Sequence, residues 1–307
     1  MSADKQTSPL VSVLVPAFNH KRFVAQAIQS VLDQTYERVE LIVVDDGSHD
    51  GTVKVASELA SQHRFTFVRN ESNLGLNATI EKALALSNGD YVSVLASDDW
   101  IGPEKIAEQV ALLSEHGWDA VYGTCCVVEG DRTYVVDLGD LEKKFGDGSI
   151  LDHLYTDSSH APLLQSALIR RDCFTALCPE RRQFTSDDWV MLIRLVERYR
   201  VGFVNKPWFY YRQHGANTYR NYWGTLPQRL EVISRVTPER IRARALANVF
   251  RDQAQFLYAD GKRGMALKFL LASMMLRPSP HSWAGLTGQL SVRLVRRAFR
   301  RRPRSHE

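Results

Sequence analysis

Apolar positions along the first hundred residues follow two alternating periods. Runs in which almost every residue is apolar occupy 11–15, 40–44, 65–68 and 91–96. Such runs read as strands buried on both faces. Between them, apolar residues fall at helical spacing: Phe23, Ala27, Ile28, Val31 and Leu32 within 22–32, a helix over 52–61, and Leu76, Ile80, Ala83 and Leu84 within 75–86. Pro16 ends the first run, and Asn88-Gly89 stops the third helix. Strand followed by helix, four times over, predicts a parallel sheet with crossover helices. A helix over 103–115 and a strand over 120–128 extend the series, and 129–148 is polar and hairpin-like.

The second half is less regular. The run 163–169 reads as a strand or a short helix, 190–200 as an amphipathic helix and 201–204 as a short strand. An aromatic run, Trp208 to Tyr211, leads into Arg212-Gln213-His214-Gly215-Ala216-Asn217. Beyond Pro238, helices over 240–259 and 263–276 predict an antiparallel hairpin turned at Asp260-Gly261. The segment 286–302 sets Leu290, Val292, Leu294, Val295 and Phe299 among six arginines.

Composition changes this picture little. The chain has 307 residues, 44% apolar and 24% charged, enough for one large domain or two. Its net charge of +4 gathers at the C-terminus. Cys125, Cys126, Cys173 and Cys178 show no metal-type spacing and read as free thiols of a reducing, cytoplasmic compartment. The polar start, residues 1–9, has no signal-peptide core. No apolar stretch reaches the roughly 18 residues of a membrane span.

The candidate chemistry lies where strands end. Pro16-Ala17-Phe18-Asn19 follows the first strand, Asp45-Asp46-Gly47-Ser48 the second, and Ser97-Asp98-Asp99 the fourth. In open α/β sheets, ligands bind at the carboxyl ends of strands. Adjacent carboxylates repel unless a cation or water screens them, and Mg2+ or Mn2+ accepts one or two carboxylates together with phosphate oxygens. A nucleoside diphosphate fits such an edge. Asp46 and the 16–18 loop would serve the base, Asp98 the ribose hydroxyls and Asp99 the cation. Turns and helix caps are the alternative for each segment alone. Neither a Gly-x-Gly-x-x-Gly nor a Gly-Lys-Ser/Thr cradle is present, so the phosphates would be held mainly by metal.

Several motifs stand in order: Val13-Leu14-Val15-Pro16-Ala17-Phe18-Asn19, Glu40 to Ser48 with Asp50-Gly51-Thr52, Asn73-Leu74-Gly75, and Asn88-Gly89-Asp90-Tyr91 leading to Ser97-Asp98-Asp99. Over residues 10–220 the chain resembles the family 2 glycosyltransferases. The resemblance implies a GT-A-like α/β fold: a mixed, mainly parallel sheet flanked by helices, here with a C-terminal helical extension. It also implies an inverting transferase using a nucleotide-diphosphate sugar and a divalent cation, Mn2+ or Mg2+. Asp46 would then bind the base, Asp98 the ribose or sugar and Asp99 the metal, with Pro16, Ala17, Phe18, Asn19 and Ser97 lining the donor site. Thr185-Ser186-Asp187-Asp188-Trp189 resembles the acidic pair before the acceptor-side helix. On that basis Asp188, with Asp187 second, is the expected base taking the acceptor proton. A helix cap is the alternative reading. His214 would be a metal ligand or touch the diphosphate, and Arg212 would neutralise the leaving diphosphate. Lys82 is the first basic residue after Asn73-Leu74-Gly75, later than in many relatives.

The expected division is a catalytic domain over 1–223, with a donor half to about 128 and an acceptor half from 129, then a helical hairpin and basic tail over 224–307. The acceptor would be a bacterial surface glycan or a lipid-linked glycan, as in lipopolysaccharide, O-antigen or capsule assembly. A polyprenyl-phosphate sugar transferase and a non-catalytic sugar-nucleotide-binding protein are the rivals. The tail through Arg293–Arg304 suits an anionic membrane surface at the inner face of the plasma membrane, or is simply solvated. No nucleic-acid module precedes it, so nucleic acid is not an expected partner.

Overall fold

A computed structural model describes residues 8–157, 161–184, 187–215 and 222–276, the side chains of Arg181, Asp187, Tyr222 and Trp223 excepted. The basic tail therefore lies outside the described residues. The chain forms two compact units, one of residues 1–154 with 160–221 and one of 155–159 with 222–307.

The larger unit carries a nine-stranded mixed sheet. Its first strands are β1 Val11–Ala17, β2 Val39–Asp45, β3 Thr66–Arg69 and β4 Tyr91–Val94, all mutually parallel in the order β3-β2-β1-β4. Helices α1 Val24–Leu32, α2 Thr52–Gln62 and α3 Leu76–Ala85 make the connections. Every residue of β1 is buried, as the unbroken apolar run requires. Its one polar member, Ser12, is satisfied: its hydroxyl donates to Glu40 Oε1 at 2.6 Å and accepts from Gly89 N at 2.8 Å. A Cβ at Gly89 would meet that hydroxyl at 2.4 Å and the Ser12 nitrogen at 2.6 Å, so only glycine fits the approach.

Pro16 does not end β1. Pairing with β4 stops at Leu14 opposite Val94, while pairing with β2 runs on to Ala17 opposite Asp45. Pro16 thus sits where the strand is flanked on one side, a place where a sheet tolerates a residue with no N–H.

The remaining strands are β5 Trp100–Ile101, β6 Ala120–Glu129, β7 Arg132–Val135, β8 Leu168–Arg170 and β9 Val201–Gln213. Strand β8 is antiparallel to both β4 and β6, and β9 joins β6 in parallel. The long β9 corrects the expected short strand over 201–204. Asn205-Lys206-Pro207 breaks the apolar pattern, but a register irregularity between Tyr122 and Cys125 on β6, opposite Pro207, lets pairing resume. Strand β9 thereby delivers Arg212 beside β5.

Helix α4 Lys105–His116 follows β5, and α5 Leu141–Asp147, α6 Ile150–Thr156, α7 Arg171–Arg181 and α8 Asp187–Arg198 lie between β7 and β9. Buried Trp189 of α8 donates to the Leu154 carbonyl at 2.7 Å. The smaller unit contains α9 Tyr222–Arg235 and the hairpin α10 Glu239–Ala259 and α11 Arg263–Leu276, the last two close to the expected 240–259 and 263–276. Among the described residues, no helix is long and apolar enough to cross a membrane. All four cysteines are free, and burial pushes the Cys125 thiol up to about 12.

Lys105 is buried beneath the sheet. Its ammonium donates to Ser93 Oγ (2.9 Å), Gln109 Oε1 (2.8 Å) and the Ala167 carbonyl (3.1 Å). These acceptors match its three protons but supply no formal negative charge, and burial pulls its pKa down to about 7. Between that value and the unfolded pKa near 10.4, the unfolded chain holds more protons than the native one, so stability rises with pH. Denaturation curves from pH 7 to 10 will show this rise, on the order of 1 kcal/mol per pH unit, and Lys105→Met will flatten it. An unchanged slope in the variant would assign the rise to other groups.

Candidate active site

The ends of β1, β2 and β4 converge, as their polar tails suggested, on one cavity of about 370 Å³. Pro16 and Ala17 line it from the end of β1 with Phe18 just after, Asp46 from directly after β2, and Ser97, Asp98 and Asp99 from the turn after β4. Asn73, Gly75, Leu76 and Thr79 close the α3 side, and Gln165 and Tyr211 the far side.

Asp46 shapes this cavity through three hydrogen bonds. Its Oδ1 accepts from Asn70 Nδ2 and Leu74 N, both at 2.8 Å, and its Oδ2 accepts from Gly75 N at 2.9 Å. A carboxylate has about four acceptor positions, which leaves room for one further donor. Asn70 is itself held by Lys82 Nζ, bonded to Asn70 Oδ1 at 2.7 Å. Lys82 is thus committed to orienting Asn70. Gly47 follows at φ +76°, and a Cβ there would stand 2.8 Å from the Ser72 carbonyl carbon, so the turn after β2 requires glycine.

The two adjacent aspartates diverge. Asp99 points inward, 1% exposed, with Oδ1 accepting from Arg212 N at 2.8 Å and Oδ2 buried with no hydrogen-bond partner. Burial pushes its pKa up to about 8; the neighbouring Asp98 charge adds to this, and the Arg212 amide and guanidinium oppose it. Asp98 has different partners. Its Oδ2 lies 3.0 Å from His214 Nε2 and 3.7 Å from His20 Nε2. Among the described residues, His20, Asp98 and His214 place three ligand atoms within 4.8 Å of one another. The expected pairing of Asp99 with His214 as metal ligands is therefore not the grouping observed. His214 joins Asp98 and His20, while Asp99 Oδ1 is taken by the Arg212 amide. The set fits a divalent ion: two imidazoles and a carboxylate are ordinary transition-metal ligands. Burial lowers the pKa of His20, against the attraction of Asp98 and with the repulsion of His214.

Arg212 does not line the cavity. Its guanidinium lies between the rings of Phe23 and Trp100, at 4.9 and 4.5 Å, and its Nε donates to the Asp98 carbonyl at 2.9 Å. The cation expected to face a diphosphate instead braces the Asp98–Asp99 turn. Asn19 is also outside the cavity, and it holds the β1 loop by accepting from His49 N at 3.0 Å. Asp188 is half-buried in the first turn of α8 and is not among the lining residues. Thr185, Ser186 and the Asp187 side chain lie outside the described residues.

Sequence reasoning passed over His20, Thr79 and Gln165. His20 directly follows Pro16–Asn19, and that adjacency was the available signal. Gln165 lies in a stretch near the family pattern to which no role was assigned.

The family model described as glycosyl transferase family 2 matches residues 12–176. The chain belongs to that family. Among its relatives is a Bacillus subtilis (strain 168) protein named as a glycosyltransferase, EpsE, 36% identical over 124 residues, which are 40% of this chain and 45% of that protein. Chondroitin synthase of Escherichia coli is 33% identical over 106 residues, 34% of this chain and 15% of the synthase. This family 2 chain thus spans less than half the length of either. Two solved structures share its GT-A fold. S. aureus TarS 1-349 in complex with UDP-GlcNAc is 18% identical with a TM-score of 0.58, covering 86% of this chain and 81% of that one. The mannosyltransferase PcManGT of Pyrobaculum calidifontis, in complex with GDP-Man and Mn2+, is 16% identical with a TM-score of 0.60, covering 95% and 83%.

Proposed function

We propose that this family 2 member is an inverting glycosyltransferase. It moves one sugar from a UDP- or dTDP-type donor to a hydroxyl of a bacterial surface glycan or lipid-linked acceptor, as in lipopolysaccharide, O-antigen or capsule assembly. The observation that carries this reading is the convergence of three strand ends, with Asp46, Asp98 and Asp99, on one cavity. The curated relatives support a glycan acceptor, and the two solved structures support a nucleotide-sugar donor.

In this reading Phe18, 39% exposed at the cavity edge, and Leu76 hold the base. Asp46 keeps the Leu74–Gly75 wall in place and has one acceptor position left for the base. Ser97 and Asp98 take the ribose side, and the diphosphate lies toward His20, Asp98 and His214. A bound divalent ion would supply positive charge to the leaving diphosphate. Arg212 keeps Asp98 and Asp99 at the angle this requires. Asp188, with Asp187 second, takes the acceptor proton; its assignment rests on the resemblance of Thr185–Trp189 to the family's acidic pair. The donor half of the catalytic domain is then about 1–128 and the acceptor half 129–223. Association of the Arg293–Arg304 tail with an anionic membrane would bring the enzyme to a lipid-linked acceptor.

A thermal-shift panel of nucleotide sugars with Mn2+ tests the donor. Ligand binding to the native state raises the melting midpoint. UDP- or dTDP-sugars will raise it most, and no response to any nucleoside diphosphate would sink the proposal. Gln165 lines the same cavity with its Oε1 buried and unpartnered, and in this reading it meets the sugar. Gln165→Ala will weaken binding of the sugar nucleotide about tenfold while leaving the free nucleoside diphosphate unaffected, as titration calorimetry would show. Equal losses for both ligands would remove Gln165 from sugar recognition.

A further inference from the structure

We infer that His20 is a metal ligand, and that with Asp98 and His214 it makes a three-residue site selecting Mn2+, Co2+ or Zn2+ over Mg2+. This inference rests on the donor reading above only for the diphosphate oxygens that would complete the coordination.

The geometry converges on one oxygen. Both imidazoles direct Nε2 at Asp98 Oδ2, at 3.0 Å from His214 and 3.7 Å from His20. Ligands about 2.1 Å from an ion stand about 3.0 Å apart when cis and about 4.2 Å when trans in an octahedral site. The His214 spacing equals the cis value and the His20 spacing, 3.7 Å, lies between cis and trans, so an ion enters with a shift of about 0.7 Å or less at His20.

The surroundings of His20 hold it in a ligating state. Its Nδ1 is 2.8 Å from Ser97 Oγ. With the proton on Nδ1 donated to that hydroxyl, Nε2 presents its lone pair to the ion. A hydrogen bond at the second ring nitrogen is the usual partner of a metal-bound imidazole. The backbone is equally committed. Asn19 is the one non-glycine residue with positive φ among the described residues, at +54°. Its N donates to Ser48 Oγ and the His20 N to Thr52 Oγ1, each at 2.8 Å. A residue kept in the left-handed region by its surroundings marks a place where direction matters. Here the turn swings the next side chain, His20, back over the Asp98 carboxylate. His214 is fixed from the other side by its ring on Phe23, with centroids 4.8 Å apart.

The donor set decides the ion. Mg2+ prefers oxygen ligands and sheds water reluctantly, whereas imidazole suits the first-row transition ions. Two nitrogens against one carboxylate oxygen favour the latter.

The test uses the full chain without nucleotide and the free-Mn2+ signal in electron paramagnetic resonance. Wild type will remove Mn2+ from solution, Zn2+ and Co2+ will displace it, and a tenfold excess of Mg2+ will not. His20→Ala and His20→Gln will each weaken Mn2+ binding at least about tenfold with unchanged far-UV circular dichroism. Ser97→Ala, which removes only the Nδ1 partner, will weaken it less. The inference is overturned if wild type binds no Mn2+, if both His20 variants bind it as wild type does, or if Mg2+ competes equally. Calorimetric titration of UDP in saturating Mn2+ runs alongside. If UDP fails to bind wild type while Mn2+ binding follows the pattern above, the donor reading fails and the metal site stands. The reverse result sinks the metal site alone.

Discussion

Asp98→Asn lowers sugar transfer by on the order of a thousandfold, while the fold is kept. The substitution keeps the shape of the side chain and removes its charge. Oδ2 of Asp98 is the atom on which both His20 and His214 converge, so an amide there replaces an anionic ligand with a neutral one. The backbone of the turn should survive, because Arg212 holds it through the Asp98 carbonyl and through the Asp99 carboxylate. An unchanged far-UV circular dichroism spectrum is therefore the internal control. Turnover measured across a Mn2+ titration is the readout. A variant retaining transfer to within tenfold at every Mn2+ concentration would move the metal away from Asp98. Asp99→Asn then becomes the informative comparison, since Asp99 Oδ2 is buried with no partner and was the ligand expected from the pattern of the chain.

Asp188→Asn is expected to abolish transfer, by about 10²–10⁴-fold, with donor affinity preserved. Displacement with inversion needs one group to accept the acceptor's proton as the anomeric carbon is attacked. An amide cannot do so, and an isosteric change leaves α8 intact, held as it is by buried Trp189 on the Leu154 carbonyl. Because Asp188 does not line the donor cavity, the loss should appear in transfer to acceptor and not in nucleotide binding. Rapid-quench measurement of sugar transfer together with calorimetry of the donor separates the two. Full turnover by the variant would take Asp188 out of the mechanism and leave it as a helix-capping residue.

Much of this site was legible along the chain because strand ends are local features. An apolar run closed by Pro16-Ala17-Phe18, by Asp45-Asp46 or by Ser97-Asp98-Asp99 announces both a buried strand and a polar tip. A parallel arrangement then forces those tips to one edge. The long β9 was not legible, because Pro207 breaks the apolar pattern and only an irregularity in the facing β6 rescues the pairing. Helices α5 and α6 span only seven residues each, and α7 and α9 each carry an internal proline, Pro179 and Pro227, so the pattern of the chain did not mark them. The basic tail was read from its arginines alone and lies outside the described residues.

The order of apolar runs and polar tips by itself determined a parallel-centred α/β sheet and an acid-lined edge, since both depend on period and spacing. Which carboxylate does what was decided only in three dimensions. Asp98 and Asp99 are indistinguishable as neighbours in a sequence. Their carboxylates take different partners, one the two histidines at 20 and 214, the other, almost fully buried, the Arg212 amide. Burial and long-range pairing, which no local pattern encodes, make one a candidate metal ligand and raise the pKa of the other.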